Sequence, residues 1–135
     1  MPFAPESELS GIGYQDFMDA VWYRRALDIP ENFKGKRVIL HFGAVDHKAY
    51  VYVNGALVGT HTGGYWPFQF DITDYLKSDG NYVTVLAEDD IRNGKYGAGK
   101  QSSRLFSHGC SYTRTTGIWQ TVWMEAVDRL HVDFF

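Results

Sequence analysis

The stretch Tyr50-Val51-Tyr52-Val53-Asn54-Gly55-Ala56-Leu57-Val58-Gly59 decides the fold class of this chain. Two runs of strand-forming residues flank Asn54-Gly55. An Asn-Gly pair supplies the two positive φ angles that a type I′ hairpin turn requires. The sequence therefore predicts a β-hairpin between Ala49 and His61.

Apolar residues alternate with other residues on both sides of this hairpin, which is the period of a β-strand. In the stretch Lys36–Phe42, for example, the alternation places Val38, Leu40 and Phe42 on one face. The other predicted strands are Ala20–Ile29, Trp66–Phe70, Tyr82–Ala87, Gly117–Val127 and, after these, Arg129–Phe134. Seven or eight short strands with regular turn signals indicate an all-β chain and a β-sandwich.

Two connections are distinctive. Pro67 indicates an edge strand, and Asp71 is a candidate N-cap for one helical turn within Asp71–Lys77. Residues 88–113 are long, polar and without any period, and a connection of that length in a compact domain is usually functional or mobile.

We divide the chain into an N-terminal lead-in segment (1–18), which contains Pro2, Pro5, Gly11 and Gly13, and a single β-sandwich domain (19–135).

The composition limits the classes of partner. A chain of 135 residues with 44% hydrophobic and 21% charged residues is about one folded domain. The net charge is −3 and no basic stripe is present, so a nucleic-acid partner is not expected. No stretch approaches the ~18 apolar residues of a membrane span. No signal peptide is visible and Cys110 is the single cysteine, so we expect a cytoplasmic location and a buried thiol.

An ordered series of motifs resembles the N-terminal sugar-binding domain of glycoside hydrolase family 2, the family of β-galactosidases, β-glucuronidases and β-mannosidases. The resemblance covers roughly residues 18–127. The motifs are Val21-Trp22-Tyr23-Arg24-Arg25, Val38-Ile39-Leu40-His41-Phe42-Gly43-Ala44-Val45-Asp46, Val53-Asn54-Gly55, Val58-Gly59, His61-Thr62-Gly63-Gly64-Tyr65, Pro67-Phe68, Asp71-Ile72-Thr73 and Thr116-Gly117-Ile118-Trp119-Gln120-Thr121-Val122-Trp123.

The resemblance implies a jelly-roll β-sandwich of the galactose-binding type, with about eight strands in two antiparallel sheets. It also implies an accessory role, because the two catalytic glutamates of that family lie on a (β/α)₈ barrel outside this domain. We therefore expect no catalytic residue and no hydrolase activity in this chain. We expect the remaining domains of a parent glycosidase as its partners, with a role in shaping the substrate entrance.

Ligand-binding candidates cluster where rings and hydrogen-bonding groups share polar loops. Many family members carry an aspartate six residues before the glycine of the Gly-Ile-Trp-like motif, and it reaches the sugar; here Ser111 takes that place. Gly99-Lys100-Gln101 resembles a family segment near the active-site side. The full candidate set is Tyr65, Trp66, Tyr96, Lys100, Gln101, Ser111, Tyr112 and Arg114.

Each candidate has a plainer interpretation. Trp66 could pack in the core or against the absent barrel, and Lys100 could be simply solvated. Arg114 could grip hydroxyls or a carboxylate bidentately, or it could pair with Asp46, Asp89 or Asp90 and tie the long loop down. The five histidines show no metal-ligand spacing, so we predict no metal and no cofactor.

Three functions remain open at this stage. The first is an accessory sandwich of a β-galactosidase-like enzyme. The second is a free-standing carbohydrate-binding module that holds a saccharide weakly. The third is a structural domain whose aromatic rim is an interface, in which case the isolated chain would self-associate through an apolar patch.

Overall fold

The computed structural model describes residues 3–132 and shows an all-β chain whose named strands pair antiparallel. The strands are β1 (Ala20–Ala26), β2 (Arg37–Phe42), β3 (Val45–Asp46), β4 (Lys48–Val53), β5 (Ala56–Thr62), β6 (Phe68–Asp71), β7 (Tyr82–Glu88), β8 (Gly117–Ile118) and β9 (Val122–Val127). Three short 3₁₀ turns accompany them, at Glu8–Ser10, Glu31–Phe33 and Thr73–Tyr75. Over the described residues, no helix has the length and apolar character needed to cross a bilayer.

The predicted hairpin is confirmed. Asn54 and Gly55 join β4 to β5 with φ angles of 53° and 87°, the pair of positive values that a type I′ turn requires. The Asn54 side chain then secures the turn to its surroundings, because its Nδ2 donates to the Tyr75 carbonyl at 2.8 Å and its Oδ1 accepts from the Tyr82 N–H at 3.1 Å.

Two principal sheets enclose the core. Their strand orders are β1-β7-β4-β5 and β6-β2-β9, and a small third sheet pairs β3 with β8. The predicted inward face of β2 is confirmed, since Val38, Leu40 and Phe42 are buried against the apolar residues of β4 and β7. The β-sandwich that the alternation indicated is therefore the observed fold.

One side of the sandwich is closed where β5 meets β6. The Phe70 ring packs so tightly on Gly59 that any side chain at residue 59 would overlap it. The Phe68 ring stacks on His61 with ring centroids 4.1 Å apart. The predicted edge position of β6 is confirmed, because β6 pairs with β2 and with no second strand among residues 3–132.

Several local predictions need correction. The strand expected over 117–127 is broken at Trp119–Thr121, because the Gly43 N–H bonds to the Thr121 carbonyl and the indole of Trp119 turns aside to Gly64. The first strand ends at Ala26 instead of Ile29. Residues 129–132 form no strand, and the rest of the strand predicted over 129–134 lies outside the described residues.

Two side-chain expectations also change. Cys110 is exposed, not buried, because it lies in the turn between His108 and Ser111. Asp71 does precede one helical turn, but Ile72 holds the N-cap position; the Asp71 carboxylate instead accepts from the Thr73 N–H at 3.0 Å.

Candidate functional site

The candidate site is the rim of the sandwich where the long loop between β7 and β8, residues 89–116, passes over the end of the sheets. The loop contains only two isolated bridges, Gln101 with Tyr112 and His108 with Ser111. The Tyr112 N–H bonds to the Lys100 carbonyl at 2.7 Å, and the Ser102 N–H bonds to the Tyr112 carbonyl at 2.6 Å. The loop therefore folds back on itself and brings residues 100–102 beside Tyr112.

A second element of the rim is the Gly63-Gly64 bend that follows β5. The Gly63 N–H bonds to the His47 carbonyl at 2.9 Å, and the Gly64 carbonyl accepts from Trp119 Nε1 at 2.9 Å. A Cβ on Gly64 would overlap the Asp46 carboxyl, so only glycine allows this close approach. The bend carries Tyr65 and Trp66 outward, and Trp66 is 73% exposed.

The rim brings together exposed aromatic rings from distant parts of the sequence. Tyr65 makes an edge-on contact with Trp119, at 6.1 Å between ring centroids, and its hydroxyl lies against Gly99 of the loop. Tyr96 stacks at a tilt on His47, at 4.4 Å. Tyr65, Trp66, Tyr96 and Tyr112 are all exposed, so four of the predicted residues are accessible to solvent.

Lys100 and Ser111 are polar neighbours of these rings. Lys100 is exposed, and its Nζ lies 6.0 Å from the centre of the Tyr112 ring. Ser111 is half-buried, and its backbone pairs with His108. Both residues lie directly beside Tyr112, so an amine, a hydroxyl and a ring share one part of the rim.

Gln101 is half-buried, and its side chain is bonded to other residues of the protein. Its Nε2 donates to Asp46 Oδ2 at 2.8 Å, and its Oε1 accepts from the Thr115 N–H at 2.8 Å. Both polar ends of the side chain are used. Gln101 therefore fastens the loop to β3, and the ligand contact that we predicted for it stays a prediction.

Arg114 is also internal, so the expectation that its guanidinium faces outward is wrong. It is 4% exposed, lies over the Phe17 ring at 4.3 Å, and donates to the carbonyls of Gln15 and Arg104. The alternative, an ion pair with Asp46, Asp89 or Asp90, is wrong as well, because these partners are backbone oxygens. Arg114 ties the N-terminal segment to the long loop.

Three buried carboxyl groups form the base of the rim, and the sequence analysis missed them as a group. Glu6 accepts from the Thr116 N–H at 3.0 Å, and Asp46 accepts from Gln101. Asp89 is 5% exposed, and its Oδ2 has no hydrogen-bond partner among the described residues. No sequence signal joins residues 6, 46 and 89, because their proximity comes from the tertiary fold.

Burial dominates the electrostatics of these carboxyl groups. Loss of solvation raises the pKa of Asp46, against the stabilising hydrogen bond from Gln101. The same loss of solvation, with the charges of Asp46, Glu6 and Asp90, raises the pKa of Asp89 from 3.8 to about 7. Within residues 3–132, no group of three or more His, Cys, Asp or Glu side chains could hold a metal ion.

The rim has the chemistry of a surface that meets a polyhydroxylated ligand. Ring faces accept the apolar C–H side of a sugar, while a lysine and hydroxyl groups can hydrogen-bond its hydroxyls. The aromatic residues are exposed, and the long loop that carries Tyr96 and Tyr112 is anchored by Gln101 and Arg114.

Comparison with known proteins shows the family of this chain. The family profile described as "Glycosyl hydrolases family 2, sugar binding domain" matches residues 13–125. A β-galactosidase from Thermoanaerobacter pseudethanolicus is 38% identical over 119 residues, covering 87% of this chain and 15% of that protein. A β-glucuronidase from Formosa agariphila is 32% identical over 113 residues, covering 83% and 11%.

Solved structures show the same relation. A β-glucuronidase of Bacteroides uniformis superposes with a TM-score of 0.68 at 31% identity, over 84% of this chain and 12% of that one. A putative β-galactosidase from Bacteroides fragilis superposes with a TM-score of 0.65 at 33% identity, over 83% and 16%. The chain thus spans about one-seventh or less of these two curated relatives. It belongs to the sugar-binding domain family of the family 2 glycosyl hydrolases.

Proposed function

We propose that this chain is the accessory domain of a larger glycosidase, in which its aromatic rim shapes the entrance to the substrate site and packs beside the catalytic part. The observation that carries the proposal is the rim itself: four exposed rings on an anchored loop and a glycine bend. Anchoring matters because a loop that is already ordered loses less conformational entropy when it meets a ligand.

Direct contact with a saccharide is assigned to the accessible members of the predicted set. These are Tyr65, Trp66, Tyr96, Lys100, Ser111 and Tyr112. Gln101 and Arg114 support the rim from inside. A surface this open covers only one side of a sugar, so binding by the isolated chain is expected to be weak.

The proposal gives this chain no hydrolytic step of its own. Retaining hydrolysis requires two carboxyl groups about 5 Å apart across the glycosidic bond, both in contact with substrate. At the base of the rim, Glu6, Asp46 and Asp89 are buried, and two of them accept internal hydrogen bonds. Reaction chemistry is therefore assigned to parts of the relatives that lie outside the aligned region.

The test is a titration of the 135-residue protein, followed by NMR, with methyl β-D-galactopyranoside and with methyl β-D-glucuronide. We expect saturable shifts at millimolar concentration that weaken several-fold in Trp66→Ala and Tyr112→Ala. Trp22→Ala is the matched control. Trp22 is an exposed ring on β1, an edge strand of the four-stranded sheet, and it lies beside Tyr52. The absence of saturable binding to either glycoside would contradict the proposed saccharide contact. Turnover of a chromogenic glycoside by this chain would contradict the proposed accessory role.

A second candidate is a purely structural interface. Leu9, Leu105 and Phe106 are exposed by 74%, 51% and 66%, and Arg114 joins the two segments that carry them. Exposed apolar groups of this size favour a protein contact. Sedimentation distinguishes the candidates: concentration-dependent association that Phe106→Ser abolishes, without saccharide binding, favours the interface.

A further inference from the structure

His108 is a residue of the long loop that has no role in the function proposed above. The turn Gly109-Cys110 separates it from Ser111, and His108 and Ser111 exchange both backbone hydrogen bonds, at 3.1 and 2.9 Å. Directly opposed residues of an antiparallel pair place their side chains on the same face, about 5 Å apart. The His108 ring therefore lies beside the Ser111 hydroxyl, which we assigned to direct contact with a saccharide.

The contacts of Ser102 decide which ring nitrogen of His108 carries the proton. Ser102 is fully buried, and its Oγ has three partners: the Phe106 carbonyl at 2.8 Å, the Arg104 N–H at 3.1 Å and His108 Nδ1 at 2.9 Å. A carbonyl only accepts and a backbone N–H only donates, so the single hydroxyl proton goes to the Phe106 carbonyl. His108 Nδ1 must then donate to Ser102 Oγ, because two lone pairs would otherwise face each other.

A proton on Nδ1 leaves the lone pair of the neutral His108 ring on Nε2. This nitrogen has no hydrogen-bond partner among residues 3–132, and unlike His61 Nε2 it is not sealed from solvent. The contact with Ser102 also fixes the orientation of the ring. The neutral imidazole is therefore an oriented acceptor that is open to solvent.

The part of the loop that supports His108 is itself held in place. The Ser102 N–H bonds to the Tyr112 carbonyl at 2.6 Å, and the Arg114 guanidinium donates to the Arg104 carbonyl. Both residues that bond to the Ser102 hydroxyl through their backbones, Arg104 and Phe106, thus belong to an ordered segment. An acceptor that is oriented before binding loses little conformational entropy when a ligand arrives.

The six residues assigned to direct contact with a saccharide include no side chain that only accepts. Lysine and tryptophan side chains only donate, while tyrosine and serine hydroxyls can do either. The carboxyl groups of Glu6, Asp46 and Asp89 are buried at the base of the rim. Every hydroxyl of a sugar has a proton to donate, so an open acceptor beside Ser111 supplies a group that the rim otherwise lacks.

We propose that His108 contacts saccharide directly, with Nε2 accepting a hydrogen bond from a hydroxyl of the sugar. Ser102 is the positioning residue that holds the ring as the Nδ1–H tautomer. The inference rests on the saccharide contact proposed above, to which it adds a residue and a direction of hydrogen bonding. A sugar without that hydroxyl leaves the acceptor unpaired, so His108 contributes to specificity.

The tautomer is tested first, from the ¹⁵N chemical shifts of the two ring nitrogens of His108 at pH 8. We expect a neutral ring with the proton on Nδ1 in the native protein, and a loss of that preference in Ser102→Ala. Ser103→Ala, at an exposed neighbouring position, is the control and should leave the shifts unchanged. A neutral ring with its proton on Nε2 in the native protein would overturn the proposal.

The contact is tested by NMR titration with methyl β-D-galactopyranoside and its four monodeoxy analogues. We expect the native protein to bind one analogue about three- to tenfold more weakly than the parent sugar, the effect of one lost hydrogen bond. His108→Phe keeps a ring and removes the acceptor, so the parent and that analogue should bind it equally. His108→Gln retains an acceptor oxygen and is expected to restore part of the difference.

The titrations separate the role of His108 from the proposed function. Weaker binding of every sugar by His108→Phe, with the difference between parent and analogue preserved, would mean that the ring only braces the loop, and it would overturn the proposal. Equal affinity of the native protein for the parent and all four analogues would also overturn it, and would leave the saccharide contact of the rim intact. No binding of the parent sugar would contradict the saccharide contact itself, and the role of His108 would fail with it.

Discussion

Asp89 shows how the fold can alter the pKa of a single residue. Its carboxyl is buried beside Glu6 and Asp46, which raises its pKa from 3.8 to about 7. Between these two values the folded state holds a proton that the unfolded state releases, so stability falls as the pH rises through this window. The loss is complete above about pH 7, where Asp89 ionises in the folded state.

Replacing Asp89 with asparagine removes that titration. Relative to the native protein, Asp89→Asn should have a smaller stability advantage at pH 5, where only part of the loss has occurred, than at pH 8, where it is complete. The interval between pKa values of 3.8 and about 7 sets an upper limit of about 4 kcal/mol on the gain. Urea unfolding at the two pH values measures it, and Asp79→Asn, at an exposed position in a bend, is the control. A stability difference between Asp89→Asn and the native protein that is the same at pH 8 as at pH 5 would contradict the assignment.

Gly64 is a residue that sequence patterns mark only as a bend. Its backbone lies so close to the Asp46 carboxyl that an added methyl group must displace β3 or the bend. We predict that Gly64→Ala lowers the free energy of unfolding by about 1–3 kcal/mol. Gly97→Ala is the control, since nothing lies within 4 Å of a Cβ at that position. Equal effects in the two variants, measured by thermal unfolding, would rule out the close approach.

At the scale of the element, local chemistry explains why some parts of the fold could be predicted. Asn54-Gly55 defines its own turn, and the period of β2 assigns Val38, Leu40 and Phe42 to the core. These features depend on residues within a few positions of one another. Trp119–Thr121 could not be predicted in this way, because contacts with Gly43 and Gly64 break the strand there.

The Gln101 side chain holds the long loop in place. Gln101 accepts the Thr115 N–H and donates to Asp46, so it holds both limbs of the loop against β3. Gln101→Ala should speed hydrogen exchange of the Thr115 amide at least tenfold and leave β4 unchanged. Ser103→Ala, at an exposed neighbouring position, should leave the exchange rate as it is. Unaltered protection in Gln101→Ala would show that the loop is ordered by other contacts.

Across the whole molecule, the candidate site could be predicted only in part. The exposed rings Tyr65, Trp66, Tyr96 and Tyr112 follow from aromatic residues in polar, glycine-bearing segments. The inward positions of Gln101 and Arg114 do not follow, because their partners are distant in the sequence. A polar side chain in a loop looks the same in the sequence whether it faces a ligand or an internal carbonyl.

Arg114 gives the widest-reaching prediction, since it lies 99 positions from Gln15 and joins the segment of that residue to the segment of Arg104. A buried guanidinium bonded to carbonyls cannot be replaced by a shorter side chain without leaving those oxygens unpaired. Arg114→Ala should therefore lower the unfolding free energy by about 3 kcal/mol and expose both segments to proteolysis together. Arg129→Ala, at an exposed position, is the matched control. Cleavage of only one segment would mean that the two are anchored separately, and the rim would then not depend on the N-terminal segment.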